Sequence, residues 1–513
     1  MSRLQSPRPC GLRRPSRKRR LGFEPLEDRR VLATLTVTTT ADDGPGSLRD
    51  IIQQANDGVG INTICFSDDL AGEVISLSSG AIDITGAVII NGDSLSGGIT
   101  IDASASDLTP GFEDGAGSRV FNVDDGNEAV EIVAQMRNVT ITGGDVTGDG
   151  GAILSSEDLQ LFDSTVSGSS ATGNGGGVSS SGQLLIEDTT FVNNIAAGNG
   201  GGLSTDAPDQ DVQLDDVTFS SNVAIGNGGG LFASLSGLQG TTSLVIDDSA
   251  FSNNESDSNG GGVYITNSTT IDVDIEDSVF SSNVALQDGG GIYADFDDAT
   301  ISISGSTLSG NEAGEDGGGV ASFIDGSTTE ISDTVFSTNM AGGDGGGLVL
   351  GADATIETSR FLNNEASGQG GGVHIMPLDN HDITLSQSTL SGNDALDGTG
   401  IAIAGVESSE VTIDSSTFDD NDATRFGGGI YAQLDDGVTN LNQVTISNNS
   451  ALSDGGGVYA VAEQATTGVV DLNVDFSTIV ENSTVGSGTD GFAVINDQLG
   501  CLLYTSPSPR DRG

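Results

Sequence analysis

The chain has 513 residues, of which 77 are Gly, 10 are Pro and none is Trp, with aromatics at 4%; turns are plentiful and bulky core residues scarce, which argues against an ordinary large globular core. Of the 17 Lys and Arg, ten lie in the first 30 residues and two in the last four, leaving Arg49, Arg119, Arg137, Arg360 and Arg425 against all but four of the 74 acids. Such an acidic body is expected to repel nucleic acid and anionic membranes, and it contains no apolar run of the ~18 residues that would suggest a bilayer span.

Residues 1–33 read as a basic export or sorting leader without an apolar signal core. Arg13 to Arg20 is almost entirely basic, and Phe23-Glu24-Pro25-Leu26-Glu27-Asp28-Arg29-Arg30-Val31-Leu32-Ala33 follows it. That run resembles a sorting segment that opens many secreted giant proteins of one aquatic bacterial phylum, and the resemblance implies export. The three cysteines, Cys10, Cys65 and Cys501, are too scattered to form a disulfide framework.

Residues 34–140 are read as an N-terminal cap with the first coils of a solenoid. Ser47 and Asp50 form a capping-box-like pair, and Leu48, Ile51, Ile52 and Ala55 share one helical face before Asn56 and Gly58 stop it. A short helix here is expected to plug the open end of a core that would otherwise expose apolar side chains and an unpaired edge. Gly46-Ser47-Leu48-Arg49-Asp50-Ile51-Ile52 resembles the Cys-Ser-Leu-Arg-Glu-Ala-Ile segment that opens many β-helices, with Gly46 in place of the cysteine.

Residues 141–500 repeat. An apolar anchor followed three residues later by Asn recurs with spacings of 25 to 33 residues, placing Asn194, Asn222, Asn254, Asn283, Asn311, Asn339, Asn364, Asn393, Asn421, Asn449 and Asn482 in register. An aliphatic residue stands five before every anchor. Glycine triplets, the first at Gly175 and the last at Gly455, follow most of the Asn positions. The alternation between these marks is that of strands with one buried face. A unit of about 28 residues without helical periodicity cannot bury its apolar face alone, so its copies must stack. The expected fold is all-β: a single right-handed parallel β-helix solenoid of roughly 14 to 16 coils with a short N-terminal capping helix, about 70 Å long at ~4.8 Å per coil. The anchors are expected to form an internal ladder and the Asn residues a structural ladder at a corner.

The tandem Phe-x-x-Asn motifs and Gly150-Gly151-Ala152-Ile153 are similar to the polymorphic outer-membrane-protein repeat, over residues 139 to 495. That resemblance implies a right-handed β-helix with a pectin-lyase-like fold, an extracellular or outer-surface location on a bacterium, and adhesion to glycan, cell-surface or matrix partners. Residues 501–513, Cys-Leu-Leu-Tyr-Thr-Ser-Pro-Ser-Pro-Arg-Asp-Arg-Gly, resemble a translated sequencing adapter and are read as an artefact.

Catalytic residues are not expected. The cationic base of β-helix polysaccharide lyases, and the Gly-His-Gly and Arg-x-Lys of polygalacturonase-like hydrolases, are missing. The one lysine is Lys18 in the leader, and neither His374 nor His381 has Gly on both sides. Asp215/Asp216, Asp247/Asp248, Asp297/Asp298 and Asp419/Asp420 are pairs of a kind glycosidases use, but among so many acids they read as solvated turns. His374 is expected on the surface, and Arg360 and Arg425 beside carboxylates that they neutralise. No cofactor or metal ligand is assigned; calcium between acidic coils is the one sharper alternative, without a complete calcium-loop motif behind it. The leading reading is a non-enzymatic, adhesin-like protein, with a β-helix lyase or hydrolase and a passive spacer as alternatives.

Overall fold

The computed structural model describes residues 34–496 and 504–505, apart from 108, 110–113, 128–130, 209, 237–241, 268–270, 296–298, 324–327, 377–380, 405–408, 434–436, 463–470 and 487. The basic leader lies outside the described residues. So does the terminal segment from 497 onward, except for Tyr504–Thr505, which continues one sheet by pairing with Asn473 and Val474.

From Asp145 onward each turn of the chain contributes one strand to each of four long parallel sheets, as in Leu184–Glu187, Thr190–Val192, Ile195–Ala196 and Leu203–Pro208. These are called here the first, anchor, short and glycine-led faces. The sheets hold 17, 15, 13 and 15 strands in that order, making a right-handed solenoid of about 14 turns. The handedness is the one that parallel crossovers almost always take. Register is kept by side-chain identity: Phe191 pairs with Phe219, Phe219 with Phe251, and Phe251 with Phe280.

The strands form because apolar residues recur every second position. Ile271–Glu276, Ile-Asp-Val-Asp-Ile-Glu, alternates buried and exposed throughout. Inward residues from all coils merge into one apolar column running from Val37 to Leu472. Its centre is the anchor ladder, in which Phe191, Phe219, Phe251 and Phe280 stack at 4.7, 4.7 and 4.9 Å between ring centroids with planes within 6°. A face-to-face stack is not the arrangement that aromatic pairs prefer on their own. Here the one-coil repeat dictates it.

The first and anchor faces meet at a corner where one residue takes positive φ, as Asp188 does at 48° and Asp248 at 46°. The anchor and short faces meet at another, where Asn193 is at 55° and Asp420 at 56°. Asn, Asp and Gly tolerate this left-handed geometry best, which is why the corners are rich in them. In the Asp pairs, Asp216, Asp248 and Asp420 take such corners while Asp215, Asp247 and Asp419 end the strands before them; Asp297 and Asp298 lie outside the described residues.

At the N-terminal end, strand β1 (Thr34–Val37) pairs in parallel with β2 (Asn62–Phe66), and helix α1 (Leu48–Asn56) connects them across the mouth of the core. Leu48, Ile51, Ile52 and Ala55 are buried. Ser47 caps the helix by accepting from Asp50 N–H at 3.2 Å. The reciprocal bond departs from a standard capping box, since Asp50 Oδ2 accepts from Gly46 N–H rather than from that of Ser47.

Candidate functional site

Side-chain ladders occupy most corners, and their geometry separates residues that hold the coil from residues free to act. All eleven Asn residues from Asn194 to Asn482 are buried. In each, Nδ2 donates to a carbonyl one coil back and, except in Asn482, to the next Asn: Asn311 Nδ2 reaches Phe280 O at 3.0 Å and Asn339 Oδ1 at 2.9 Å. Its Oδ1 accepts both N–H and Nδ2 from Asn283. The amide is fully used by protein, which leaves nothing for a ligand.

Two further ladders escaped the sequence reading. Ser and Thr two residues before the anchor, such as Ser249 and Ser278, donate back to a carbonyl two residues earlier and accept a backbone N–H from the preceding coil. The second runs just before the glycine triplets, through Asp149, Asn174, Asn199, Asn227, Asn259, Asp288, Asp316 and Asp344 to Gln369, each backbone N–H donating to the Oδ1 one coil before. The signal was in the sequence, because an Asn, Asp or Gln precedes most triplets.

This second column walls the outer side of the glycine-led face. The first glycine of each triplet has positive φ, 69° in Gly228, and a Cβ there would strike the carbonyl of Leu231. The tight turn brings the wall close over the outward side chains of the strand. Those side chains follow one register line: Phe232, Tyr264, Tyr293, Ala321, Val349, His374, Ala402, Tyr431 and Tyr459. Two aromatic groups result, Phe232, Tyr264, Tyr293 and Phe323 in one and Phe426, Tyr431 and Tyr459 in the other. Neighbouring rings stack, Tyr264 on Tyr293 at 5.1 Å and Tyr431 on Tyr459 at 5.7 Å. Burial raises the phenol pKa of both Tyr264 and Tyr293, so the hydroxyls stay protonated.

His374 lies between these groups and corrects the expectation of a surface histidine. It projects away from the core as the alternation requires, yet it is 4% exposed because the turn column covers it. Its Nδ1 is 3.4 Å from Asp344 Oδ2, off the hydrogen-bond direction, and neither ring nitrogen has a hydrogen-bond partner. Burial lowers its pKa, against the pull of Asp344 and Asp316. Burial also raises those of Asp288 and Asp316. His381 sits elsewhere, on Asp353 at 3.1 Å.

Of the two arginines expected to neutralise carboxylates, Arg425 does so, gripping the fully buried Asp397 with Nε and Nη2. Arg360 makes no ion pair among the described residues; it is exposed on its strand. The acid pairs act on each other. Burial and then the repulsion of Asp247 raise the pKa of Asp215, while for exposed Asp248 the repulsion of Asp247 comes first. A cavity of about 340 Å³ at the start of α1 is lined by Asp43, Gly44, Pro45, Arg49, Asp50 and Gln53. Its arginine is committed to Asp42 and to the carbonyls of Gly80 and Ala81. No helix among the described residues is long and apolar enough to cross a membrane.

A family model described as a right handed beta helix region matches residues 237–405 and 290–498, together just over half of the chain. The chain belongs to the right-handed β-helix family. Within this β-helix, residues 188–206 and 216–234 match the Chlamydia polymorphic membrane protein repeat, the repeat of surface-exposed β-helix proteins of bacteria. No curated protein matches it. Among solved structures it is similar to the A-module of the mannuronan C-5 epimerase AlgE6 of Azotobacter vinelandii, at 10% identity over 90% of this chain and 100% of that one, with a TM-score of 0.19.

Proposed function

We propose that this β-helix is a non-catalytic, adhesin-like surface protein that binds neutral glycan chains lengthwise along the outer side of its glycine-led face. The observation that carries the reading is the register line of Phe232, Tyr264, Tyr293, Tyr431 and Tyr459 beside the carboxylate column of Asp288, Asp316 and Asp344. The rings stack on one another, which covers their planes, and each tyrosine is only 6–9% exposed, so a glycan would meet the rim of this line and the carboxylates beside it. Recognition here is by hydrogen bonds between phenols, carboxylates and sugar hydroxyls, repeated at the ~4.8 Å coil spacing. The net charge of −57 disfavours uronate and sulfated chains.

A second reading, a glycan-cleaving enzyme, draws on one observation: His374 is a buried imidazole with both nitrogens unbonded, beside Asp344. One experiment separates the two. The chain is incubated with insoluble neutral, uronate and sulfated polysaccharides while retention and new reducing or unsaturated ends are scored together. Retention on the neutral polymers without new ends, weakened about tenfold in Tyr264→Phe/Tyr293→Phe, is expected; a tenfold loss is ~1.4 kcal/mol, the scale of one or two hydrogen bonds. New ends that disappear in His374→Ala establish the enzyme instead. Retention by no polymer, or retention that the double variant leaves unchanged, overturns binding at this face.

A further inference from the structure

The described residues of 107–118, namely 107, 109 and 114–118, interrupt the regular coil. Residues 114–118 lie against the first strand of the short face (Asp145–Val146), where Ala116 bridges Val146 in antiparallel sense, so they cover an edge that would otherwise present unpaired backbone groups. Three carboxylates converge there: Asp107, Asp114 and Asp145 each place an oxygen within 4.8 Å of the others.

The three are not equivalent. Asp107 and Asp114 are in the loop, and their oxygens accept from Thr109 and Ala116. Asp145 belongs to the sheet and is only 8% exposed. Its Oδ1 accepts from Ser170 Oγ at 2.6 Å and from Gly115 N–H at 3.1 Å, which fixes the carboxylate. Its Oδ2 is buried with no hydrogen-bond partner. An unsatisfied carboxylate oxygen next to two other carboxylates is costly unless a cation faces it. Among the described residues no arginine supplies that charge: Arg119 bonds the carbonyls of Asp149 and Gly150, and Arg137 pairs with Asp93 and Asp163.

A second acidic group shows what a self-sufficient cluster looks like. In Asp124, Asp125 and Glu157, the buried Glu157 accepts from Asp125 N–H with one oxygen and from Ile132 N–H with the other. Nothing there is left over. Of these two clusters, only that of Asp145 has a buried carboxylate oxygen without a donor.

We propose that Asp107, Asp114 and Asp145 bind one calcium ion, which fastens the edge-covering segment onto the short face. The ligands are all oxygen and come from an irregular loop and a strand. That suits the flexible, high-coordination calcium shell better than magnesium's octahedron, and there is no His or Cys to favour zinc. Three carboxylates from a partly preformed site put the expected Kd on the order of 10⁻⁴ to 10⁻³ M, the range of extracellular calcium modules.

The test is calorimetric titration of the full chain with calcium chloride at physiological ionic strength, which suppresses diffuse binding to the acidic surface. One saturable site is expected. Outer-shell changes alone weaken metal sites ~10–100-fold, so loss of a ligand in Asp145→Asn or in the half-buried Asp107→Asn should cost at least that much, while Asp124→Asn in the other cluster leaves the site intact. Limited proteolysis between residues 103 and 118 should slow with calcium in the parent and not in Asp107→Asn, a readout that survives if Asp145→Asn folds poorly. A parent without a saturable site, equal affinity after Asp107→Asn, or a site abolished by Asp124→Asn overturns the proposal, and tighter binding of magnesium than of calcium overturns the choice of ion.

Discussion

Asn311 is bonded to four groups at once: the N–H and Nδ2 of Asn283, the Phe280 carbonyl and Asn339 Oδ1, all at 2.9 to 3.1 Å. Replacing it with Ala removes one side chain but strands buried partners on two neighbouring coils, each costing about 1–3 kcal/mol when left unsatisfied. Asn311→Ala is therefore expected to destabilise by about 3–5 kcal/mol, at the severe end for a point mutation, read as a shift in the denaturant midpoint at unchanged m-value. The control is Thr358→Gly. Thr358 is a β-branched residue at φ 50°, and its hydroxyl accepts only a 3.3 Å bond from Asp333 N–H. Relief of left-handed strain, about 1–2 kcal/mol for an L-residue, offsets the lost bond and the added chain entropy, so this variant stays within about 1 kcal/mol of the parent. Equal losses in the two would mean that the Asn column carries no more than an ordinary turn residue.

The coil is the element that the sequence made readable, because it is written many times. Phe-x-x-Asn and the glycine triplets repeat often enough that strand, corner and ladder follow from their phase alone, and α1 follows from Ser47, Asp50 and its apolar face. The outer wall of the glycine-led face did not follow. Alternation sends His374 outward, and outward normally means exposed; only the fold of the turn before each triplet, which lays Asp316 and Asp344 over that line, buries it. The calcium-site candidate was hidden for a related reason, since Asp145 meets Asp107 and Asp114 through an irregular segment that no repeat describes. Within the coil the anchor column tolerates shape change unevenly. Phe336 stacks on Phe361 at 4.6 Å, yet Leu308 and Leu390 hold the same position in neighbouring coils. Phe336→Leu should therefore cost about 1 kcal/mol and Phe336→Ala about 3–5 kcal/mol, the difference being the cavity left between coils that cannot collapse along the axis. Thermal unfolding of both variants checks the ratio, and equal losses would show that the column is not closely packed.

At the scale of the molecule, pH pulls on stability in two directions, and the groups that do so are identifiable. His374 has a folded pKa below its ordinary 6.5 because burial opposes its charge; the unfolded chain then binds more protons than the folded one, so stability falls as pH drops below 6.5. Asp288, Asp316, Asp215 and Asp394 have folded pKa values above their ordinary 3.8, burial being the largest cause in each. For them the folded state holds the extra protons, so their contribution is complete below 3.8 and is lost as pH rises through the folded values. Asp42 runs the other way: burial would raise it, but hydrogen bonds from Arg49, Ser79 and Ser78 override burial and hold it well below the usual carboxylate range. Its contribution is present above 3.8 and disappears as pH falls further. The parent should therefore lose thermal stability just below pH 6.5, recover as these four carboxylates take up protons toward about pH 4, and fail below that as Asp42 is protonated. His374→Val isolates the first limb, because Val349 and Ala402 show that an apolar side chain fits the position one coil to either side. The variant should lack the loss below pH 6.5 and keep the recovery. Parallel profiles for variant and parent would mean that His374 is not held neutral in the fold, which would also remove the unbonded imidazole on which the enzymatic reading depends.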